Sequence, residues 1–345
     1  MFRRRNIILA FSVSAALVAA SACGSSGSGS ASGSGSGSSA TTPTINVTVS
    51  NATDAFVIPW LVGQKEGFFK KAGVNVSKIV EGKGGTQSLQ TQLSGDIPIG
   101  DISFTGVTQA IDQGAPVVAV AGATQSLNGS SFYALAGNTS IKTVKDIKTW
   151  AYTNPGSVSQ ALTYMIPQKE GIPDAGVKRV ASGGTGEGIA LLESHKVDVT
   201  VIGQAVILSN PGKYRLVVSP AAVIGSFQQS VITTTKSYLQ SHGAIVKSVV
   251  AGYNDAVKWI PGHVDQAAAL YATQAGISVA DAKLVVESCV KALQWGAAIN
   301  DKALEASAQA IRIGGFKGKI DYCAIFNTSY LPAGVSRTLP KKCGS

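Results

Sequence analysis

The sequence predicts an α/β protein with two similar lobes, because one pattern occurs twice about a hundred residues apart. Gly84-Gly85-Thr86 opens a segment that runs to Leu93, and Gly183-Gly184-Thr185 opens one that runs to Leu192. An alternating apolar run follows each segment: Ile97, Ile99 and Ile102 in the first, and Val197, Val199 and Val201 in the second. Such spacing is typical of strand, glycine turn, helix and strand.

The two glycine pairs predict helix starts whose backbone N–H groups are uncovered. These orphan donors carry the positive end of the helix dipole. Two such ends facing each other would form a cleft for a small polar or anionic solute. A purely structural alternative is that each Gly-Gly pair serves only as a turn, since such turns are common in α/β proteins.

The amino terminus has the layout of an export signal. Arg3, Arg4 and Arg5 precede an uncharged apolar run from Ile7 to Ala20, which is too short to span a bilayer comfortably. We expect residues 1–22 to be a signal peptide outside the fold. Residues 23–42 are almost only Gly, Ser, Ala and Thr after Cys23, so we expect a flexible tether with a mean reach of about 25 Å.

Cys23 follows Ala20-Ser21-Ala22, a sequence that resembles a bacterial lipobox in which the cysteine becomes lipidated. The same three residues also fit an ordinary signal-peptidase site. Lipidation predicts an exported protein that is anchored to the outer face of the bacterial cytoplasmic membrane.

Four cysteines are present, so lipidation of Cys23 would leave one of the other three unpaired. Cys289 has helical spacing with Leu284, Val285 and Leu293, which favours a buried free thiol. Cys323 and Cys343 are then the predicted disulfide, closing a loop of about twenty residues and contributing about 3 kcal/mol to stability.

The body from Pro43 onward is long enough for two lobes. Without the three signal arginines the formal charge falls from +10 to +7. The excess is spread along the chain with no basic block interleaved with aromatics, which indicates a solvated surface and not a nucleic-acid site.

Several elements follow in order along the body. Ile45, Val47 and Val49 alternate as an opening strand, and a short helix begins near Ile58. Val117, Val118 and Val120 predict a buried strand, and Ser157 or Ser159 is the expected N-cap of a helix from Gln160 to Lys169.

Phe132–Leu135 and Ser230–Thr234 are expected as extended crossings between the lobes. They divide the body into lobe I (43–129 and 232–345) and lobe II (130–231). Beyond Lys236 the apolar spacing predicts helices, including a stripe that contains Val249 and Tyr253 and stops at Pro261-Gly262.

Five short segments carry a resemblance to a known family: Gly63–Val76, Leu93–Ile97, Gly114–Val118, Ile141–Ile147 and Leu191–Asp198. The first of them contains Gly67-Phe68-Phe69. From about residue 45 to 335 the chain resembles the solute-binding lipoproteins of bacterial ABC importers, in the nitrate, sulfonate and taurine (SsuA/THI5-like) group. This resemblance implies a two-lobe periplasmic binding protein type II fold, in which each lobe is a mixed sheet flanked by helices and two extended hinge crossings join the lobes.

In this group the solute lies between the lobes and contacts the loops after the strands. The resemblance therefore implies a ligand-binding role for Asn51, Thr53, Gly84, Gly85, Thr86, Ser103, Thr105, Thr124, Asn154, Ser157, Ser159, Gly183, Gly184, Thr185 and Gln204. Helix capping is the alternative role for Thr86, Ser157 and Ser159, and an Asx-turn is the alternative for Asn51. Asp54 would cap the helix toward Leu61 or bind the amine of a zwitterion such as taurine.

The implied function is capture of a small polar or anionic organic solute by hinge closure, with delivery to an ABC permease and its ATPase. We expect a monomer without cofactor, metal or catalytic residue. No arginine falls in the predicted loops to clamp an oxyanion, so a pyrimidine thiamine precursor or another heteroaromatic is the alternative ligand. A pyrimidine-precursor synthase-like enzyme is disfavoured because His195, His242 and His263 are scattered. A sensor or scavenger without a permease is the third alternative.

Overall fold

The computed structural model describes residues 41–340 of the chain. The predicted signal peptide, Cys23 with nearly all of the tether, and Cys343 lie outside the described residues. Within this range, residues 42–340 belong to one compact unit. No helix in the described range combines the length and apolar character needed to cross a membrane.

Ten strands are present in residues 41–340. They are β1 (Thr44–Val49), β2 (Asn75–Glu81), β3 (Ile99–Ser103), β4 (Val117–Gly122), β5 (Phe132–Leu135), β6 (Thr149–Tyr152), β7 (Lys178–Ala181), β8 (Thr200–Val201), β9 (Tyr214–Val218) and β10 (Ser230–Thr235).

The same range contains thirteen α-helices. They are α1 (Ile58–Lys65), α2 (Phe68–Ala72), α3 (Gly85–Leu93), α4 (Phe104–Asp112), α5 (Val158–Lys169), α6 (Thr185–Glu193), α7 (Gln204–Ser209), α8 (Pro220–Ile224), α9 (Lys236–Trp259), α10 (Val264–Ala275), α11 (Val279–Lys291), α12 (Asp301–Ile313) and α13 (Tyr322–Ile325).

The larger sheet has five strands in the order β2-β1-β3-β10-β4. Strand β1 pairs in parallel with β2 and β3, and β10 pairs antiparallel with β3 and β4. Every residue of β3 and β4 is buried. Strands covered on both faces have continuous apolar runs, which accounts for the predicted strand at Val117–Val120.

The remaining strands form two smaller sheets, β8-β5-β9 and β6-β7. Phe132 of β5 and Trp150 of β6 are fully buried, and their rings meet edge to face with centroids 4.9 Å apart. The predicted strand at Val197–Val201 is shorter than expected. Only Thr200–Val201 forms a strand, while Val199 makes an isolated parallel bridge with Trp150. Val197 and Val199 are buried.

The two predicted crossing segments are extended, and each is also a strand inside a sheet. Ser230–Thr235 is β10, which lies between β3 and β4. The connections that lead into these strands run beside each other, because the carbonyl of Thr124 accepts hydrogen bonds from the N–H groups of Gln229 (2.9 Å) and Ser230 (3.2 Å). The boundaries of the predicted lobes remain a prediction.

Helix α9 carries the predicted apolar stripe and ends where expected, just before Pro261. Tyr253 on this helix is fully buried, and its ring lies 4.9 Å from that of Trp60 on α1. Aromatic side chains bury large apolar areas, so this contact helps to hold α9 against α1.

Cys289 is a buried free thiol, as its helical spacing predicted. Burial raises the pKa of this thiol. Cys323 is disulfide-bonded. Its predicted partner Cys343 lies outside the described residues, so the pairing stays a prediction.

Candidate solute-binding cavity

A cavity of about 110 Å³ lies where the loops after β1, β2 and β6 meet the ends of β3 and β10. Eight of the predicted ligand-binding residues line it: Asn51, Gly84, Gly85, Ser103, Ser157, Ser159, Thr185 and Gln204. An outer groove of about 390 Å³ continues from it, sharing Ser50, Asn51, Gly84 and Thr185 with the cavity and adding Lys83, Gly184 and Glu187.

Both glycine pairs open helices as predicted. Helix α3 begins at Gly85 and α6 begins at Thr185. Gly84 and Gly183 have φ values of +111° and +92°, a region that glycine adopts without the steric penalty of a side chain. Gly85 is needed for a different reason, since a Cβ there would lie 2.6 Å from the Cβ and Oγ of Ser103.

Asn154 joins the two glycine loops without lining the cavity. Its side-chain Nδ2 donates to the carbonyl of Lys83 at 2.8 Å and to the carbonyl of Gly183 at 3.3 Å. The N–H of Gly183 in turn donates to the carbonyl of Thr153 at 2.8 Å. The two repeated segments are therefore neighbours, and one amide holds both.

Two serines at helix starts line the cavity and also cap helices. Ser157 is the N-cap of α5, where its Oγ accepts from the N–H of Gln160 at 3.2 Å. Ser103 is the N-cap of α4 and accepts from the N–H of Gly106 at 3.3 Å. Ser159 is not a cap, because its Oγ accepts instead from the N–H of Thr153 at 3.0 Å.

The other predicted residues lie around the cavity without lining it: Thr53, Thr86, Thr105, Thr124, Asn154, Gly183 and Gly184. The hydroxyl of Thr86 donates to the carbonyl of Pro155 at 3.0 Å, and that of Thr105 donates to the carbonyl of Gly156 at 2.7 Å. These bonds attach α3 and α4 to the turn before α5. They are not the helix cap that was the alternative for Thr86.

Asn51 and Thr53 form a local turn. Asn51 Oδ1 accepts from the N–H of Thr53 at 2.9 Å and from its hydroxyl at 2.8 Å, which is the Asx-turn expected as the alternative for Asn51. Asn51 also lines the cavity. Asp54 does not have the capping role first expected, since its side chain makes no cap hydrogen bond to the turn Ala55–Val57. It lines the cavity instead.

A sequence model of the family described as NMT1/THI5 like matches residues 55–267. This range exceeds half of the chain and includes both Gly-Gly-Thr segments. The chain belongs to the NMT1/THI5-like family. No curated protein sequence matches it.

Solved structures share the fold of this NMT1/THI5-like protein at low sequence identity. The periplasmic aliphatic sulphonate binding protein SsuA from Escherichia coli superimposes with a TM-score of 0.63 and 18% identity, covering 81% of this chain and 96% of its own. The ligand binding component of an ABC-type import system from Staphylococcus aureus superimposes with a TM-score of 0.68 and 13% identity, covering 86% and 100%. These likenesses confirm the predicted periplasmic binding protein fold.

One structure with this fold is an enzyme. The desulfurization enzyme DSZB superimposes with a TM-score of 0.57 and 15% identity, covering 83% of this chain and 97% of its own. The fold therefore does not decide between binding and catalysis. Within residues 41–340, no group of three or more His, Cys, Asp or Glu side chains is placed to hold a metal ion.

The cavity of this NMT1/THI5-like protein contains a buried carboxylate that sequence reasoning missed. Asp101 in β3 is 1% exposed, and its Oδ2 accepts from the indole N–H of Trp60 at 2.9 Å. Burial raises the pKa of Asp101 to about 6, while the nearby Ser230 hydroxyl and the hydrogen bond from Trp60 oppose that rise. The sequence held a signal for it, because Asp101 is the one charged residue in the apolar strand Ile99–Ser103.

Asp54 is the second carboxylate of the cavity. Burial raises the pKa of Asp54 to about 7, and the nearby carboxylate of Glu81 adds to the rise. Its Oδ1 lies against Gly203, where an added Cβ would collide with it. None of the described residues that line the cavity is Lys, Arg or His.

Three buried oxygen atoms of the cavity lack a hydrogen-bond donor among the described residues: Asp101 Oδ1, Gln204 Oε1 and Gln229 Oε1. Buried acceptors are rarely left unpaired. Gln204 was predicted, but Gln229 was not, and neither were the other cavity amides Asn128 and Gln294. Their sequence context carries no signal, since they enter the cavity from connections between elements.

Proposed function

We propose that this protein is the extracytoplasmic solute-binding component of an ABC importer and that it binds a small polar solute in the cavity. One observation carries the proposal. The helix starts of α3 and α6, which come from the two copies of the repeated pattern, open onto the same cavity. Backbone donors at helix starts and side-chain hydroxyls bind a polar solute without chemical change.

Hinge closure is the proposed mechanism. The cavity is lined from both sides of the paired connections at Thr124 and Gln229, so a rotation there would open it. Binding of solute would draw the proposed lobes, 43–129 with 232–345 and 130–231, toward each other. A permease and its ATPase would then receive the closed form.

The charge of the cavity bears on which solute is bound. A bare oxyanion such as nitrate would meet two carboxyl groups and no cationic side chain. A sulfonate with an amine, such as taurine, would have a partner for each end. An N–H-bearing heteroaromatic such as a pyrimidine precursor is the second candidate, because the unpaired oxygens of the cavity require donors.

We propose that the protein acts by binding and not by catalysis. His195, His242 and His263 do not line the cavity. The polar lining groups are hydroxyls, amides and two carboxyls, which can hold a solute and exchange it with water, and the rest of the lining includes Phe56, Val158, Leu162 and Val201. The rival hypothesis of a pyrimidine-precursor synthase-like enzyme would need a nucleophile and base in contact with the substrate.

The proposed setting is the outer face of the bacterial cytoplasmic membrane, where lipid on Cys23 would anchor a monomer near its permease. Incorporation of labelled palmitate into the wild-type chain, and its loss in Cys23→Ala, tests the anchor. Unlabelled wild-type protein would leave signal-peptidase cleavage as the explanation.

The import proposal is tested by a thermal-shift screen of the full chain in detergent against nitrate, taurine, alkanesulfonates, bicarbonate, pyrimidines and flavins. The solute with the largest shift is then used for small-angle scattering. We expect a smaller radius of gyration with saturating solute and no change with a solute that gave no shift. A stabilising solute that leaves the radius unchanged would rule out hinge closure as the signal.

A further inference from the structure

We propose that the solute carries a protonated nitrogen with N–H donors, an ammonium or amidinium group, and that Asp101 and Asp54 bind this group. The inference rests on the proposed function of the same cavity and defines the class of solute. It follows from three features of the cavity: an unpaired buried carboxylate, further acceptors without donors, and the lack of any cationic side chain among the residues that line it.

Asp101 is the primary contact. Its Oδ2 already accepts from the Trp60 indole, whereas Oδ1 is buried and accepts no hydrogen bond from any described residue. A buried carboxylate without a cationic partner is costly unless a ligand supplies one. The same burial that raises its pKa makes it a strong acceptor for a charged donor once the cavity is filled.

Two amide oxygens extend the set of acceptors. Gln229 precedes β10 and donates through Nε2 to the hydroxyl of Ser130 at 3.0 Å, which leaves its Oε1 unpaired in the cavity. Gln204 at the start of α7 also has an unpaired Oε1. A nitrogen with two or three N–H groups can satisfy several of these oxygens together, whereas an oxyanion can satisfy none.

Asp54, in the loop after β1, supplies a second carboxylate. Its side chain makes no cap hydrogen bond, and it lies against Gly203 at the start of α7. The only cation at the outer groove is Lys83, which is paired with Glu187 within the described residues. Among residues 41–340, therefore, no cationic side chain lines the cavity to neutralise the two carboxylates.

The helix starts do not contradict this assignment. The first N–H groups of α4 and α5 are capped by Ser103 and Ser157. Those of α3 remain beside Gly84, whereas at the start of α6 the carboxylate of Glu187 accepts from its own N–H. Gly84 and Thr185 also line the outer groove. The N–H groups at the start of α3 can bind a polar or anionic group at the other end of the solute, while the carboxylates hold the nitrogen.

The test compares four probes against the full chain in detergent at about pH 8, where both carboxyls are ionised. Ethylammonium, taurine and ethanesulfonate share a two-carbon skeleton and differ in their end groups. Tetramethylammonium carries the charge without N–H donors. We expect taurine and ethylammonium to bind at least about tenfold more tightly than ethanesulfonate and tetramethylammonium, as measured by calorimetry and thermal shift.

Substitutions of the two carboxylates test whether they bind the ammonium group. Asp101→Asn and Asp54→Asn should each weaken taurine binding by about tenfold to a hundredfold, the range for charge-assisted hydrogen bonds. Asp101→Asn should also raise the melting temperature of the solute-free protein, which shows that it folds. Asp96→Asn is the matched control, because Asp96 is exposed and does not line the cavity. It should bind taurine as the wild type does.

Three outcomes overturn the inference. Ethanesulfonate or a neutral pyrimidine that binds more tightly than the amines would leave the import function standing and refute cation recognition. Unchanged taurine binding in both cavity variants would also refute cation recognition and leave the import function standing. Failure of all probes to bind, together with no stabilising solute in the wider screen, would refute the proposed function as well.

Discussion

Lys83 and Glu187 form an ion pair at the outer groove, with Nζ 3.4 Å from Oε1, although 104 residues separate them in the sequence. Each lies beside one of the repeated glycine segments. Their side chains are 68% and 48% exposed, so the pair adds less than about 1 kcal/mol to stability. The position of the pair matters for the proposed hinge opening, because the pair connects the two segments that would separate in it.

Removal of this ion pair should affect the proposed opening of the cavity more than the free energy of unfolding. We expect Glu187→Gln to alter the free energy of unfolding by less than about 1 kcal/mol. In the same variant, the solute-free protein should have a larger radius of gyration and should release its solute faster. Scattering and stopped-flow release measure both effects. A variant that unfolds more easily while its radius and release rate stay the same would contradict this interpretation.

The two glycine loops offer a matched pair of substitutions. A Cβ at Gly85 would lie 2.6 Å from Ser103 Cβ and 3.1 Å from its backbone nitrogen, so α3 would have to move. A Cβ at Gly184 would meet the far end of the flexible Glu187 side chain. We expect Gly85→Ala to cost about 1–3 kcal/mol in urea unfolding and to weaken solute binding. Gly184→Ala should cost less than about 1 kcal/mol. Equal losses would show that the clash at Ser103 is relieved.

The repeated glycine pattern explains how much of the site the sequence could predict. A positive φ and a helix start are local properties, so Gly84, Gly183, α3 and α6 could be located from residue type and spacing. Their convergence could be inferred only because the pattern occurs twice. The bond that holds the loops together, from Asn154 to Lys83 and Gly183, depends on the tertiary fold and has no local signature.

The place of the two carboxylates in the cavity could not be predicted from the sequence. Asp101 stands among apolar residues in β3, but its partner Trp60 is 41 positions away, and β10 pairs beside it from a distant part of the chain. For Asp54 the residue type predicts a helix cap, because acidic residues are common before helices. Its contact with Gly203, a residue far along the chain, depends on the tertiary fold and has no local signature.

Asn154 should contribute to stability as well as to the shape of the cavity. Asn154→Ala removes two hydrogen bonds to the carbonyls of Lys83 and Gly183, and we expect a loss of about 1–2 kcal/mol in urea unfolding. The affinity for solute should fall too, since the two loops would lose their common anchor. Full retention of both properties would show that other contacts hold the loops together.

Cys289 should resist modification while the protein is folded. It is buried and free, and its raised pKa keeps it in the weakly reactive thiol form. We expect a thiol reagent to label Cys289 only after denaturation, and Cys323 only after denaturation with reductant. Peptide mapping without reductant should find Cys323 joined to Cys343. Fast labelling of Cys289 in native protein would show that α11 opens readily.

The two cavity carboxyls predict that the solute-free protein becomes less stable as the pH rises. The pKa of Asp101 rises from 3.8 in its ordinary state to about 6 in the fold, and that of Asp54 rises to about 7. Between these values the folded state binds more protons than the unfolded state, so the free energy of unfolding falls as pH increases from about 4 to 7.

Asp101→Asn removes one of these titrations and serves as the test. In urea unfolding at about pH 8, the variant should be more stable than the wild type by about 1–3 kcal/mol, and this advantage should shrink toward about pH 5. A bound ammonium solute would pair with the ionised Asp101 and stabilise the wild type more than the variant, so saturating taurine should reduce the difference at the higher pH. An advantage that is the same at both pH values would mean that Asp101 does not titrate in this range.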